Sequence, residues 1–103
     1  MIAQQVAHII AEYVLFVELT PEDDLDPHTG EKMMGMLGWQ LENLDKGFLR
    51  ELVDAFPVIA EGYGEEARQL VRDIPYGFYL EEALAADDPV RLAELDALRE
   101  ARD

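Results

Sequence analysis

Several reactive side chains are missing from this sequence. It contains no cysteine and no serine among its 103 residues. Without cysteine there is no disulfide framework, no thiolate metal site and no cysteine nucleophile. Only Thr20 and Thr29 carry an aliphatic hydroxyl. These absences argue against nucleophilic catalysis and lead us to predict that the chain is not an enzyme.

Basic side chains are scarce as well. Eight Lys and Arg stand against 23 Asp and Glu, which gives a formal net charge of -15. Nucleic-acid binding requires cations that neutralise phosphates, so we predict no nucleic-acid partner. The acids are spread along the chain, because residues 1–49 carry a net -7 and residues 50–103 a net -8. This charge favours a basic protein partner only weakly, since acidity also keeps proteins soluble.

No long uncharged apolar run is present. A membrane span needs roughly 18 apolar residues, and Gln4, Gln5, His8 and Glu12 interrupt the apolar N-terminal segment. No Lys or Arg precedes Lys32, so the basic region that begins a secretory signal is also missing. These features predict a cytoplasmic protein without a membrane partner.

Apolar periodicity and helix-start signals divide the rest into helices. Apolar residues recur every three or four positions from 2 to 18. Asp26, Asp45 and Asp88 each precede a segment with helical periodicity, and proline follows two of them, which is typical of a capped helix start. Helices are predicted at 2–18, from 27 to about 44, from 46 to the 62–64 turn, at 65–73, at 78–86 and at 90–102.

Two further details belong to this prediction. Thr20 and Pro21 predict a single helical turn that Pro27 stops, and Pro57 predicts a kink or a break in the third helix. A turn is expected at 75–77. The fold class that follows is all-α: one domain over residues 1–103, an irregular or orthogonal bundle of about five to six short helices.

Groups that could carry chemistry are few and incomplete. His8 and Glu12 share a helix face, but a zinc site needs a third ligand. The acidic run at 22–26 lacks the spacing of a calcium-binding loop, and helix capping explains several of its acids. Gly35 and Gly38 lie inside a helical pattern rather than in a phosphate-binding loop. We therefore predict no catalytic, cofactor-binding or metal-binding residue and no cofactor.

Two apolar clusters are candidates for a protein interface. Methionine adapts to partner surfaces, and aromatic residues beside acids suit a basic partner. The alternative is that the methionines and Trp39 belong to the core and that the rings close one end of the bundle. The candidate interface residues are Met34, Met36, Trp39, Tyr76, Phe78, Tyr79, Glu81 and Glu82.

The segment 16–27, with its acidic run ending in Asp26 and Pro27, resembles a group of small acidic helical bacterial proteins of unassigned function. Leu37, Trp39, Leu41 and Leu44 and the Ile74-Pro75 pair with the aromatic residues after it add to the resemblance, which covers roughly residues 13–80. Gly35 and Gly38 depart from it. The resemblance implies no activity, although some proteins of this kind look like immunity partners of toxins.

Three functions follow as hypotheses. The first is a protein–protein interaction module, with the role of inhibitor or immunity-type partner of a basic protein as its most specific form. The alternative is a self-associating homodimer that pairs through the first helix, where Val14, Leu15, Phe16 and Val17 make nearly every side apolar. The least favoured is a cation-dependent or acid–base enzyme that uses His8, His28 and the acids near residue 24.

Overall fold

A computed structural model describes residues 1–102 and confirms the all-α fold class. Seven helices and no strand occur over these residues, and five of the helices have at least seven residues. The helices are α1 Ile2–Leu19, α2 Pro27–Glu42, α3 Lys46–Ala60, α4 Glu65–Arg72, α5 Ile74–Gly77, α6 Leu80–Leu84 and α7 Pro89–Arg102.

Helix α3 is the centre of the bundle. It contacts α1 along most of its length and also packs on α4, α5 and α6. Phe56, Leu49 and Leu52 are its largest fully buried side chains. Small residues of α1, Ala3, Ala7 and Ala11, are buried in the same core and allow the two helix backbones to approach closely. Helix α2 packs on α1, and α7 packs on α6.

The capped helix starts predicted from the three aspartates are confirmed. The Asp26 carboxylate accepts a hydrogen bond from the backbone N–H of Thr29 at 3.1 Å. Asp45 does the same for Phe48 at 3.0 Å, and Asp88 for Arg91 at 3.1 Å. Each carboxylate satisfies a backbone donor that has no partner in the helix itself.

The single turn predicted after Thr20 and Pro21 is present, but Thr20 does not cap it. The Thr20 hydroxyl donates to the carbonyl of Phe16 and closes the C-terminal end of α1 instead of opening a new helix. The carbonyl of Pro21 then accepts from Asp24 and Leu25, so the segment between α1 and α2 is a compact hydrogen-bonded turn.

Prolines account for two other differences. Pro57 lies inside one unbroken helix, because Phe56, Ile59 and Ala60 on either side of it are buried and hold the backbone in place. The 75–77 segment is part of the one-turn helix α5 rather than an isolated turn, with Pro75 in its first turn.

The predicted helix at 78–86 is shorter than expected. It begins only at Leu80, because Tyr79 has a left-handed backbone (φ 57°) that no regular helix contains. This conformation reverses the chain between α5 and α6 and turns the Tyr79 ring toward α7. It is the one non-glycine residue with positive φ among those the structure describes.

Candidate protein-binding surfaces

A cleft of about 580 Å³ opens between α1, α2 and the α4–α5 region. Apolar side chains from each of these elements line it: Val14, Val17, Leu25, Met34, Leu70, Ile74 and Phe78. Two of the predicted interface residues, Met34 and Phe78, therefore lie on its apolar floor, and both pack partly buried against the core. We call this feature the acidic cleft, because of the carboxylates at its edge.

Five carboxylates line the acidic cleft and no Lys, Arg or His does. Asp26 is occupied in capping α2, and Asp73 forms an ion pair with Arg102 at 2.8 Å. The remaining three, Glu18, Glu22 and Glu31, are exposed and have no ion pair or side-chain hydrogen bond with any residue in the described part of the chain. Their negative charge is therefore directed to solvent at the mouth of an apolar cleft.

Two glycines of α2 shape the cleft. The buried Gly30 faces Val17, and a Cβ there would lie 3.4 Å from the valine side chain, so α2 approaches α1 closely. Gly38 faces the ring of Phe78, and a Cβ there would lie only 2.9 Å from the ring carbon Cδ1. Phe78 reaches the cleft floor because α2 has no side chain at this point. The close packing of Phe78 explains why residue 38 is a glycine, which is one of the two glycines that depart from the resemblance.

The predicted aromatic cluster is already engaged within the chain. The Arg99 guanidinium lies between Tyr76 and Tyr79, 4.0 Å and 3.7 Å from their ring centroids. The same guanidinium donates to Glu82 at 2.6 Å and to the carbonyl of Tyr76 at 2.7 Å. Arg99 thus fastens α7 to the α5–α6 segment.

The two glutamates of α6 are neutralised by these intramolecular contacts. The hydrogen bonds from Arg99 lower the pKa of the Glu82 carboxyl below its ordinary value, although partial burial opposes the shift. Arg50 binds both carboxylate oxygens of Glu81 at 2.8 Å. Glu81 and Glu82 are therefore engaged within the fold, in contrast to Glu18, Glu22 and Glu31 at the acidic cleft.

Met36 and Trp39 lie outside the acidic cleft. They are the exposed pair of α2, with 65% and 63% of their surface accessible. The carbonyl of Trp39 accepts from the Asn43 side chain at 2.7 Å, while its indole ring stays in solvent. The structure thus separates the predicted interface residues into a cleft-lining pair, an exposed pair on α2 and the cluster around Arg99.

The candidate acid–base and metal groups do not converge. The His8 ring lies beside Tyr63, with Nδ1 3.4 Å from the phenol oxygen. Partial burial raises the pKa of Tyr63, and the nearby Glu12 carboxylate adds to the shift. Neither histidine lines the acidic cleft. No group of three His, Cys, Asp or Glu side chains that could hold a metal ion occurs in residues 1–102.

The outer side of α1 is a second apolar surface. Ile2, Val6, Ile9, Tyr13 and Phe16 form a line there, which we call the α1 ridge; all but the half-buried Val6 are exposed. Of the residues predicted to pair through this helix, Phe16 belongs to the ridge, whereas Val14 and Leu15 are buried in the core. By length and composition α1 is the one described helix that could cross a membrane, a property that core helices of soluble proteins share.

Comparison with known proteins adds no family: no family model, no curated protein and no solved structure matches this chain. The resemblance to small acidic helical bacterial proteins stays a prediction.

Sequence reasoning missed Glu18 and Glu31 at the acidic cleft. They belong to different helices, and no local pattern in the sequence marks either one as different from the other acids. They line the same cleft because α2 packs against the end of α1, where Gly30 faces Val17.

Proposed function

We propose that this chain is a protein-binding module without catalytic activity whose acidic cleft receives a basic segment of a partner protein. The observation that carries the proposal is the combination of an apolar floor with three unpaired carboxylates at the edge and no cation in the lining. An inhibitor or immunity-type role toward a basic protein is the most specific form of this proposal.

The two parts of the acidic cleft would act at different stages of binding. Carboxylates exposed on a molecule with net charge -15 attract a cationic surface and raise the rate of association. The apolar floor then supplies burial for an apolar anchor of the partner, which is the usual source of affinity at the centre of an interface. A segment with Lys or Arg around one or two large apolar residues fits both parts.

The acidic cleft is a better candidate for this partner than the aromatic cluster. Tyr76, Glu81 and Glu82 would have to break ion pairs and ring contacts with Arg50 and Arg99 before they could bind another cation. Glu18, Glu22 and Glu31 have no such contact to lose.

The test uses a synthetic amphipathic peptide of Leu and Lys as the probe, followed by amide chemical-shift changes and by calorimetry. A triple variant, Glu18→Gln with Glu22→Gln and Glu31→Gln, removes the unpaired charge of the cleft. At about 0.2–1 kcal/mol for each exposed charge pair, the affinity should fall roughly tenfold. Raising the salt concentration should weaken the wild-type complex.

A matched control separates the cleft from the general acidity of the chain. Glu42→Gln with Glu51→Gln and Glu100→Gln changes the net charge by the same amount at exposed acids outside the cleft. We expect a loss of less than about threefold for this control. Equal losses in the two triple variants, or shift changes away from Val17, Leu25 and Met34, would refute the cleft as the binding site.

A further inference from the structure

Helix α1 is apolar on two separate faces. The inner face is buried in the bundle, whereas the outer face contacts the bundle at the half-buried Val6 and through the Tyr13 hydroxyl, which donates to the carbonyl of Met33 at 3.4 Å. The inner face carries Ala7, Ile10 and Val14 into the core. On the opposite side the α1 ridge leaves Ile2, Ile9 and Phe16 with 71%, 70% and 58% of their surface exposed. A single exposed apolar residue needs no explanation, but a continuous line of them along one helix marks an interaction site.

The spacing of the ridge is that of a helix-pairing seam. Its members at positions 2, 6, 9, 13 and 16 alternate steps of four and three residues. This alternation keeps the apolar line facing one partner helix in a coiled coil, at a crossing angle near 20°. At 1.5 Å per residue the ridge is about 21 Å long.

The area of the ridge suits a weak dimer. Side chains of these types present about 100–250 Å² each when fully accessible, so the ridge offers on the order of 450 Å² per copy at the exposures found here. Complete burial of both ridges would remove at most about 900 Å² from solvent, and flanking residues such as Leu19 bring this limit near the roughly 1,000 Å² that a specific interface requires.

The scarcity of charge on α1 favours a second copy over a cationic partner as the occupant of the ridge. Glu12 and Glu18 are the only acids of α1, which has no Lys or Arg, and Glu18 faces the acidic cleft instead of the ridge. The ridge thus offers little that would select a cationic partner, and it is a weakly charged face of a molecule with net charge -15. Pairing along α1 keeps most of the like charges of two copies apart, and a straight apolar seam matches itself under a twofold axis.

We propose that this protein forms a twofold dimer in which the α1 ridges of two copies pair. The dimer leaves the acidic cleft open, because Val14, Val17 and Glu18 line the cleft from other faces of α1. This inference is independent of the proposed binding function, because salt should change the affinity of the dimer and the affinity for a basic partner in opposite directions. Salt screens the repulsion between two acidic copies and strengthens the dimer, whereas it weakens the binding of a basic partner.

The experiment is sedimentation velocity across a concentration series. Ile9→Lys places a charge at the centre of the ridge while making the chain less acidic, so a loss of association cannot come from added negative charge. Val90→Lys is the matched control, because Val90 is also 70% exposed but lies on α7. Circular dichroism verifies that both variants fold.

We expect a wild-type dissociation constant on the order of micromolar, unchanged in Val90→Lys and raised at least about tenfold in Ile9→Lys. Ile9→Lys should still bind the Leu–Lys peptide, and the triple variant of the acidic cleft should still dimerise. A monomer at every concentration and salt level overturns the proposal. So does equal association of both lysine variants. A monomer that sediments with phosphatidylcholine vesicles would assign the ridge to a membrane surface instead and would also overturn it.

Discussion

Two glycines of α2 should respond differently to the same substitution. At Gly35 a Cβ would meet no atom within 4 Å, so alanine enters open space. At Gly38 a Cβ would lie 2.9 Å from Cδ1 of Phe78 and 3.4 Å from Cε1. Gly35→Ala and Gly38→Ala therefore form a matched pair that tests whether Phe78 packs as the structure shows.

The magnitudes follow from two opposing effects. Alanine in place of glycine inside a helix stabilises by about 0.8–1 kcal/mol. Gly35→Ala should gain that amount, which corresponds to a rise in Tm of about 4–8 °C for a chain of this size. Gly38→Ala gains the same helix preference but forces the Phe78 ring to move, since carbon atoms normally approach to about 3.5–4.0 Å. Overpacking of this kind costs about 1–3 kcal/mol.

The net expectation is that Gly38→Ala is less stable than Gly35→Ala by about 1–3 kcal/mol. Urea unfolding followed by circular dichroism measures both free energies, and an unchanged m-value shows that the denatured state is not altered. In a double-mutant cycle, Phe78→Leu should reduce the cost of Gly38→Ala, because a smaller side chain leaves room for the new methyl group.

One result would refute this reasoning. If Gly38→Ala stabilises the chain as much as Gly35→Ala does, Phe78 does not lie against Gly38. The floor of the acidic cleft would then differ from the one described, because Phe78 would no longer belong to its apolar lining.

Two further predictions concern the contacts that hold α7. Arg99→Ala removes a part-buried ion pair and two ring contacts, a loss of about 2 kcal/mol, so amide hydrogen exchange in α7 should accelerate by roughly 30-fold. Arg91→Ala is the control and should change the exchange less than about threefold, because Arg91 forms an exposed pair with Glu94 in the same helix and has a weaker electrostatic interaction with Glu82. Arg99 lowers the pKa of Glu82 in the folded state, so the ionised carboxylate stabilises the fold above its unfolded pKa of about 4.3 and loses this effect as the pH falls through its folded pKa. The difference in unfolding free energy between wild type and Glu82→Gln should therefore shrink in acid, and a difference that is constant with pH would contradict the assignment.

The local chemistry of the sequence determined the all-α class and most helix boundaries. Each of Asp26, Asp45 and Asp88 offers a side-chain oxygen to a backbone donor three residues later, an interaction that needs no distant contact. The apolar period of α1 and α3 also follows from neighbouring residues alone. Such short-range preferences are readable without knowing the rest of the fold.

Tertiary packing determined the backbone conformation at positions where the local sequence does not specify it. Pro57 stays within α3 because buried residues on both sides fix the backbone, and burial can outweigh the missing hydrogen bond. Tyr79 takes a left-handed conformation that its side chain does not favour, at the point where the chain turns between α5 and α6. Neither outcome follows from the residues immediately around these positions.

The surfaces that could bind a partner were decided in the same way. The sequence shows an acidic chain with aromatic and methionine clusters, and its composition alone determined the net charge of -15 and the absence of thiol chemistry. Only the fold determined that Glu81 and Glu82 pair with arginines, whereas Glu18, Glu22 and Glu31 stay unpaired around an apolar cleft. The physical reason is that an acid's role depends on which cation lies within a few ångströms, and the packing of distant helices sets that distance.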